Sequence, residues 1–259
     1  MKVVAAMGGP AARDWDAVTY DRISAPQQRW AAEQMERLEL VGDESVLDAG
    51  CGSGRITLEL CERVPRGTVF AVDSAPAMIA HAQRVLGERA TAMRQDLAEL
   101  ELPAPVHLIF SNATFHWIPD HDALFAALHR NLRPGGRLIA QCGGRGNIES
   151  VRTAAERVMA EEPFAPHFAA WARPWTYAGA EETADRLWRA GFTEIETSLQ
   201  ERPTPVEDGR QFIETVCLVR HLDPLPPALR RPFVDDVLSL LTQPLVLDYV
   251  RLNVSARRP

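Results

Sequence analysis

Residues 46–54 read VLDAGCGSG. An apolar run enters a loop in which Gly50, Gly52 and Gly54 alternate with Cys51 and Ser53, and Asp48 stands two positions before the first glycine. Glycines that follow a strand let a ligand approach bare backbone and let the chain adopt left-handed conformations. A carboxylate at the mouth of such a loop repels phosphate, so the ligand is expected to be something other than a phosphate ester. The dinucleotide pattern GxGxxG also fails here: Gly50 and Gly52 fit, but Arg55 occupies the place of the third glycine.

Outward from this stretch, strand and helix signals alternate. SVLDAG, TVFAVD, ATAMRQD, VHLIFSN and GRLIAQC read as five strands; RITLELCERV, APAMIAHAQRVLG and HDALFAALHRNL read as helices between them. Ser74 stands where it would cap the second of these helices, and Gly87 where it would stop it. QQRWAAEQMERLEL precedes the series as a helix ending before Gly42. Such alternation predicts a parallel sheet with helices on both faces. After Gly143 the pattern loosens. Residues 147–175 read as irregular helix, ETADRLWRAGF as a helix stopped by Gly191, TEIETSLQ as a sixth strand, and residues 203–242 as helix with a proline-rich break. DYVRLNVSARRP alternates as a last strand, with Tyr249, Arg251 and Asn253 on one face and Val250, Leu252 and Val254 on the other. The expectation is one α/β domain over 1–259, a doubly wound, mostly parallel seven-stranded sheet with a helical cap inserted before the last strand. Its cofactor-binding core would span 30–142, with cap segments at 145–180 and 204–245.

Composition narrows the function classes. The chain has 259 residues, 46% of them hydrophobic, and a net charge of -7. That is enough apolar material for a sizeable core, and the wrong charge for a surface that holds nucleic acid or anionic membrane. The longest apolar stretches fall short of the ~20 residues that span a bilayer, and MKVVAAMGGP lacks the sustained apolar region of a secretory peptide, so a cytoplasmic protein is expected. Cys51, Cys61, Cys142 and Cys217 are scattered without metal-ligand spacing; reduced thiols and no metal are expected.

Ligands of doubly wound sheets sit outside the carboxyl ends of the strands. Asp48, Asp73, Asp96 and the pair Ser111–Asn112 each fall at such an end. Asp73 is placed to accept both hydroxyls of a ribose, and Asp96 the amino group of an adenine, with Met78 and Leu97 as apolar faces for the ring. Asp48 and the glycine loop would then face a cationic, zwitterionic head. S-adenosylmethionine has those parts and no phosphate.

VLDAGCGSG, FAVDSAPAMI, RQDL, FSNATFHWIPD and LRPGGRLI, in that order over residues 44–142, resemble the five motifs of the class I S-adenosylmethionine-dependent methyltransferases. YDRISAPQQRWAAEQM, PWTYAGAEETADRLWRAGF, FIETVCLVRHL and DYVRLNVSARRP resemble the family of trans-aconitate 2-methyltransferase and related small-carboxylate methyltransferases. The resemblance implies a Rossmann-like methyltransferase fold. It also implies S-adenosylmethionine as donor, and transfer of its methyl to a small-molecule acceptor, foremost an oxygen of an organic acid.

By the same resemblance, His116 and Trp117 face the transferred methyl, His116 as general base or substrate donor and Trp117 as a wall. Tyr20, Ser24, Gln27 and Gln28 lie on an N-terminal segment that in relatives folds over the cofactor. Tyr20, Gln27 and Ser74 are expected to touch the cofactor and Gln28 the substrate; Gln27 matches a position that in juvenile-hormone acid methyltransferases helps hold a carboxylate. Cys51 is expected to contribute backbone only. In the cap, Trp171, Trp175, Tyr177, Phe212, Val216 and Arg220 are candidates to line the acceptor pocket, and Arg145 and Arg220 to pair with a carboxylate. The alternatives are a C- or N-methyltransferase of a specialised metabolite and a non-catalytic S-adenosylmethionine-binding protein. Nucleic-acid amine methylation is disfavoured because the fourth motif reads SNAT rather than Asn/Asp-Pro-Pro-aromatic. Oligomeric state is left open.

Overall fold

Val46 and Leu47 are fully buried, as are Val72, Ile109 and Phe110 on neighbouring strands. Strands with no exposed face read as continuous apolar runs, and this is why the parallel sheet is legible from residue to residue. In a computed structural model that describes residues 25–206 and 208–259, these runs form β1 (Ser45–Ala49), β2 (Thr68–Asp73), β3 (Thr91–Arg94), β4 (Val106–Asn112) and β5 (Leu132–Gly143). β6 (Thr193–Pro205) and β7 (Val246–Arg257) complete a seven-stranded sheet in the order β3-β2-β1-β4-β5-β7-β6. β1 to β5 pair in parallel, and β7 runs antiparallel to both β5 and β6. The strand order reverses between β1 and β4, which makes their carboxyl ends the switch point where doubly wound sheets bind ligands.

The helices are α1 (Ala25–Met35), α2 (Arg55–Arg63), α3 (Pro76–Leu86), α4 (His121–Asn131), α5 (Glu149–Met159), the short α6 (Ala165–Phe168), α7 (Ala180–Arg189), the short α8 (Gly209–Phe212) and α9 (Pro227–Ser239). α1 is shorter than its apolar periodicity predicts. Tight turns closed by Arg37 N–H to the Gln34 carbonyl and Leu38 N–H to the Met35 carbonyl end it well before Gly42. Ser74 does not cap α3. Proline at residue 76 keeps the residue before it extended, so Ala75 is the N-cap, and the Asp73 carboxylate accepts the Ala75 N–H at 2.9 Å. Gly87 stops the helix at φ 55° as expected.

Two cores result. One lies within the sheet and its helices and includes Leu47, Val72, Ile109, Phe125, Leu138 and Phe192. The second joins α1, α5, α9 and β7 through Trp30, Val151, Phe164, Phe233 and Tyr249. Burying a phenylalanine such as Phe233 contributes about 1.5–3 kcal/mol, so this second core holds its helices firmly against β7. It covers the face of β7 that carries Leu247, Tyr249 and Arg251, and beyond Arg251 the buried face switches to the one that carries Leu252, Val254 and Ala256. Among the described residues no helix is long and apolar enough to cross a membrane, and no group of three or more His, Cys, Asp or Glu is placed to hold a metal ion.

Candidate active site at the carboxyl edge of the sheet

Gly50, Gly52 and Gly54 all take positive φ, at 85°, 53° and 87°, so the loop between β1 and α2 needs residues without a Cβ. Its N–H groups are already engaged. Those of Gly50 and Cys51 donate to the Val72 carbonyl at 2.7 and 3.0 Å, that of Gly52 to the Asp73 carboxylate at 3.0 Å, and that of Gly54 to the Cys51 carbonyl at 3.0 Å. A phosphate cradle needs such donors free. This loop instead offers carbonyls, open space over Gly52, and two carboxylates.

Asp48 is buried beneath the loop and accepts the Thr57 hydroxyl at 2.7 Å. Burial pushes its carboxyl up to about 7, against the Thr57 bond that favours the ionised form and with help from the nearby Asp73 charge. Asp73 is half-buried at the tip of β2; burial raises its carboxyl as well, although the N–H groups of Ala75 and Gly52 favour its anion. Each of its oxygens carries one of these backbone bonds, and each keeps a further acceptor site. Asp96 is exposed beyond β3 and accepts the Ala98 N–H at 2.9 Å; Leu97 beside it belongs to the sheet core, and Met78 is buried on α3. Ser111 is buried and donates to the Ala49 carbonyl at 2.6 Å, and Asn112 is buried at the end of β4. Ser74 is exposed, its carbonyl accepting Arg94 Nε. The buried Cys51 thiol is pushed well above its usual range by burial and by Asp48 and Asp73, so it is no thiolate.

Past β4, a short turn over Phe115–Trp117 presents His116 and Trp117. His116 is buried, and its Nδ1 accepts the Gly143 N–H at 3.3 Å, which leaves the ring proton on Nε2. Burial holds this imidazole well below its usual range, and the Arg251 and His121 charges add to the shift. Tyr177 stacks on His116 at 5.6 Å and Trp175 stacks on Tyr177 at 6.1 Å. The structure thus brings His116, Trp117 and Trp175 into one aromatic wall with Tyr177, and Arg145 lines a cavity beside it together with Trp175 and Tyr177.

Other expected residues lie elsewhere. Phe212 packs in the second core, and Arg220 pairs with Asp223 at 3.4 Å while its carbonyl accepts the Trp171 indole N–H. Tyr20 lies outside the described residues; Gln27 and Gln28 fall in the first turn of α1, with their side chains outside the description. Four residues with roles in this geometry went unread in the sequence: Thr57, Thr114, Arg152 and Arg173. A hydroxyl nine positions past Asp48 on an adjacent helix was the one available signal, for Thr57.

A sheet of this order, with a glycine loop at its switch point that presents carboxylates in place of free N–H groups, defines the doubly wound class that binds ligands at its carboxyl edge. Residues 46–136 match the methyltransferase-domain family. Trans-aconitate 2-methyltransferase of Methylobacterium nodulans is 38% identical over 182 residues, 70% of this chain and 69% of that protein. The enzyme of that name from an Acidovorax species is 29% identical over 238 residues, 85% of this chain and 86% of that one. The solved Haemonchus contortus phosphoethanolamine N-methyltransferase 2, bound to phosphomonomethylethanolamine and S-adenosylhomocysteine, shares the fold with a TM-score of 0.62 at 20% identity, covering 94% of this chain and 57% of that one. The chain belongs to the S-adenosylmethionine-dependent methyltransferases, in the family of trans-aconitate 2-methyltransferase and its relatives.

Proposed function

We propose that this enzyme transfers the methyl of S-adenosylmethionine to a carboxylate oxygen of a small organic acid. The observation that carries the choice of acceptor is the state of His116. With Nδ1 taken by the Gly143 N–H and the ring deep in the protein, the imidazole is a donor through Nε2 and a poor base. An alcohol, phenol or carbon acid needs a proton removed; a carboxylate is ionised at neutral pH and needs none. The names of the relatives point the same way.

S-adenosylmethionine supplies an electrophilic methyl on a sulfonium. The residues fit it: Asp73 would accept the ribose hydroxyls, worth about 1.5–3 kcal/mol per charged hydrogen bond, and Asp96 the adenine amino group between Met78 and Leu97. Asp48, Gly50, Gly52 and Gly54 would frame the cationic amino-acid head, with Ser111 and Asn112 at the floor. His116 Nε2–H would orient the acceptor, and Trp117, Trp175 and Tyr177 would exclude water. Positioning of that kind contributes up to about 7–11 kcal/mol in well-oriented systems. The cap segments 145–180 and 204–245 would roof the acceptor.

The test is incubation of purified protein with methyl-labelled S-adenosylmethionine and a panel of mono-, di- and tricarboxylates, alcohols and amines. A base-labile product that releases labelled methanol is the expected ester. Label found only in base-stable ether, amine or carbon-methyl products overturns the reading.

A further inference from the structure

A cavity of about 240 Å³ opens beyond the carboxyl end of β5, between its exit loop, α5 and the irregular segment 171–179. It is slightly below the ~300 Å³ at which drug-sized pockets begin, so it suits a compact ligand. Its walls carry three guanidinium groups, from Arg145, Arg152 and Arg173, the rings of Trp175 and Tyr177, and one carboxylate, Glu149. Every guanidinium has a glutamate partner: Arg152 with Glu149 at 2.6 Å, Arg173 with Glu156 at 2.8 Å, and Arg145 with Glu182 at 3.1 Å. Of these glutamates only Glu149 lines the cavity, so its wall presents three guanidinium groups and one carboxylate.

Arg152 differs from the other two. Its side chain is 15% exposed, against 69% for Arg145 and 60% for Arg173. Its guanidinium lies 5.5 Å from the Tyr177 ring centroid, and Tyr177 stacks directly on His116. The cavity is therefore one ring away from the group that faces the acceptor. Glu149, its partner, is 55% exposed at the first turn of α5, free to swing into solvent.

We propose that this cavity anchors a second, non-reacting carboxylate of the acceptor, with Arg152 as the specificity-determining residue and Glu149 as its resting counter-ion. The proposal rests on the reading of the chain as a carboxylate methyltransferase. An incoming carboxylate takes the fork of Arg152 in bidentate fashion and releases Glu149 to water, with Arg173 and Arg145 adding charge at the rim. A monocarboxylate in the reacting position reaches none of these groups.

Calorimetry tests this on the full chain saturated with S-adenosylhomocysteine, with propane-1,2,3-tricarboxylate and butanoate as probes. The wild type is expected to bind the tricarboxylate at least about tenfold more tightly than butanoate, and Arg152→Gln to lose that margin while butanoate affinity stays put. Arg152→Lys is expected to fall between. Glu149→Gln is expected to tighten tricarboxylate binding a few-fold, since the competing anion is gone. Arg173→Gln, at a mostly exposed position, serves as the variant whose folding is secure, with a smaller loss of the same sign. Equal affinity of the wild type for both probes, or tricarboxylate affinity unchanged in both Arg152→Gln and Arg173→Gln, overturns the proposal. Labelled methyl transfer to butanoate and polyacids alike removes the subsite and leaves ester formation standing. Arginine-dependent tricarboxylate binding without methylation of any carboxylate supports the subsite and sinks the ester reading.

Discussion

A methyl group on Gly50 would lie 2.1 Å from Oγ1 of Thr114, which sits two residues past the end of β4. That hydroxyl donates to the carbonyls of Asn112 at 3.1 Å and Gly50 at 3.3 Å, so the exits of β1 and β4 are locked together where the strand order reverses. The floor of the glycine loop is set by this contact, and it separates the roles of two glycines that look alike in the sequence.

Gly50→Ala combines the clash with left-handed strain and is expected to destabilise the fold by about 2–4 kcal/mol. A Cβ on Gly52 meets nothing within 4 Å, so Gly52→Ala carries only the conformational term, about 1–2 kcal/mol. Denaturant unfolding orders the two. S-adenosylhomocysteine calorimetry should show Gly52→Ala weakened despite its milder effect on stability, because its Cβ enters the open space above the loop.

Asp48 ties stability to pH. Its folded-state value of about 7 stands above the ordinary 3.8, so the folded chain holds this proton more tightly than the unfolded one. The contribution to stability is full below about pH 4 and is lost as pH rises through 7. Wild type minus Asp48→Asn should therefore decline across that window, by an amount on the order of 4 kcal/mol. Asp48→Asn should be the more stable protein at pH 8 and the weaker binder of S-adenosylmethionine. A pH-independent difference between the two would remove the assignment.

His116 as a donor predicts modest mutational effects. With a carboxylate acceptor and saturating donor, His116→Asn should lower kcat by about tenfold or less, the scale of one neutral hydrogen bond, and the wild-type kcat profile should be flat from pH 6 to 9. Loss of a true base would lower the rate by about 10²–10⁴ and abolish a titrating limb. Observing that pattern would return His116 to base chemistry.

Asp73 holds two backbone N–H groups at once, from Gly52 at 3.0 Å and Ala75 at 2.9 Å. An amide in its place turns a donor toward one of them. Asp73→Asn should weaken S-adenosylhomocysteine binding by roughly 10- to 100-fold and loosen the loop, seen as faster hydrogen exchange at Gly52. Unchanged exchange with weakened binding would confine Asp73 to ligand contact.

The strands, their order of appearance, the glycine loop and the acids at the strand tips were all legible in the chain. Each depends on neighbours only a few residues away: apolar runs ended by glycine or a carboxylate, in a sheet buried on both faces. The alternation of β7 placed Tyr249 and Arg251 together, but which face would be covered depended on Trp30 of α1, whose ring lies 4.7 Å from the Arg251 guanidinium. Ser74 read as a cap because serine suits that role; the proline two residues on moved the cap to Ala75.

Sequence by itself determined the sheet, the glycine loop and the methyltransferase family, because these follow from short-range pattern. Only the tertiary structure decided that Arg145, Arg152 and Arg173 share one cavity, and that the Gly143 N–H takes the lone pair of His116. Those relations join residues through packing of α5 and the segment 171–179 against the sheet edge. No local periodicity encodes which charged side chains such packing turns inward.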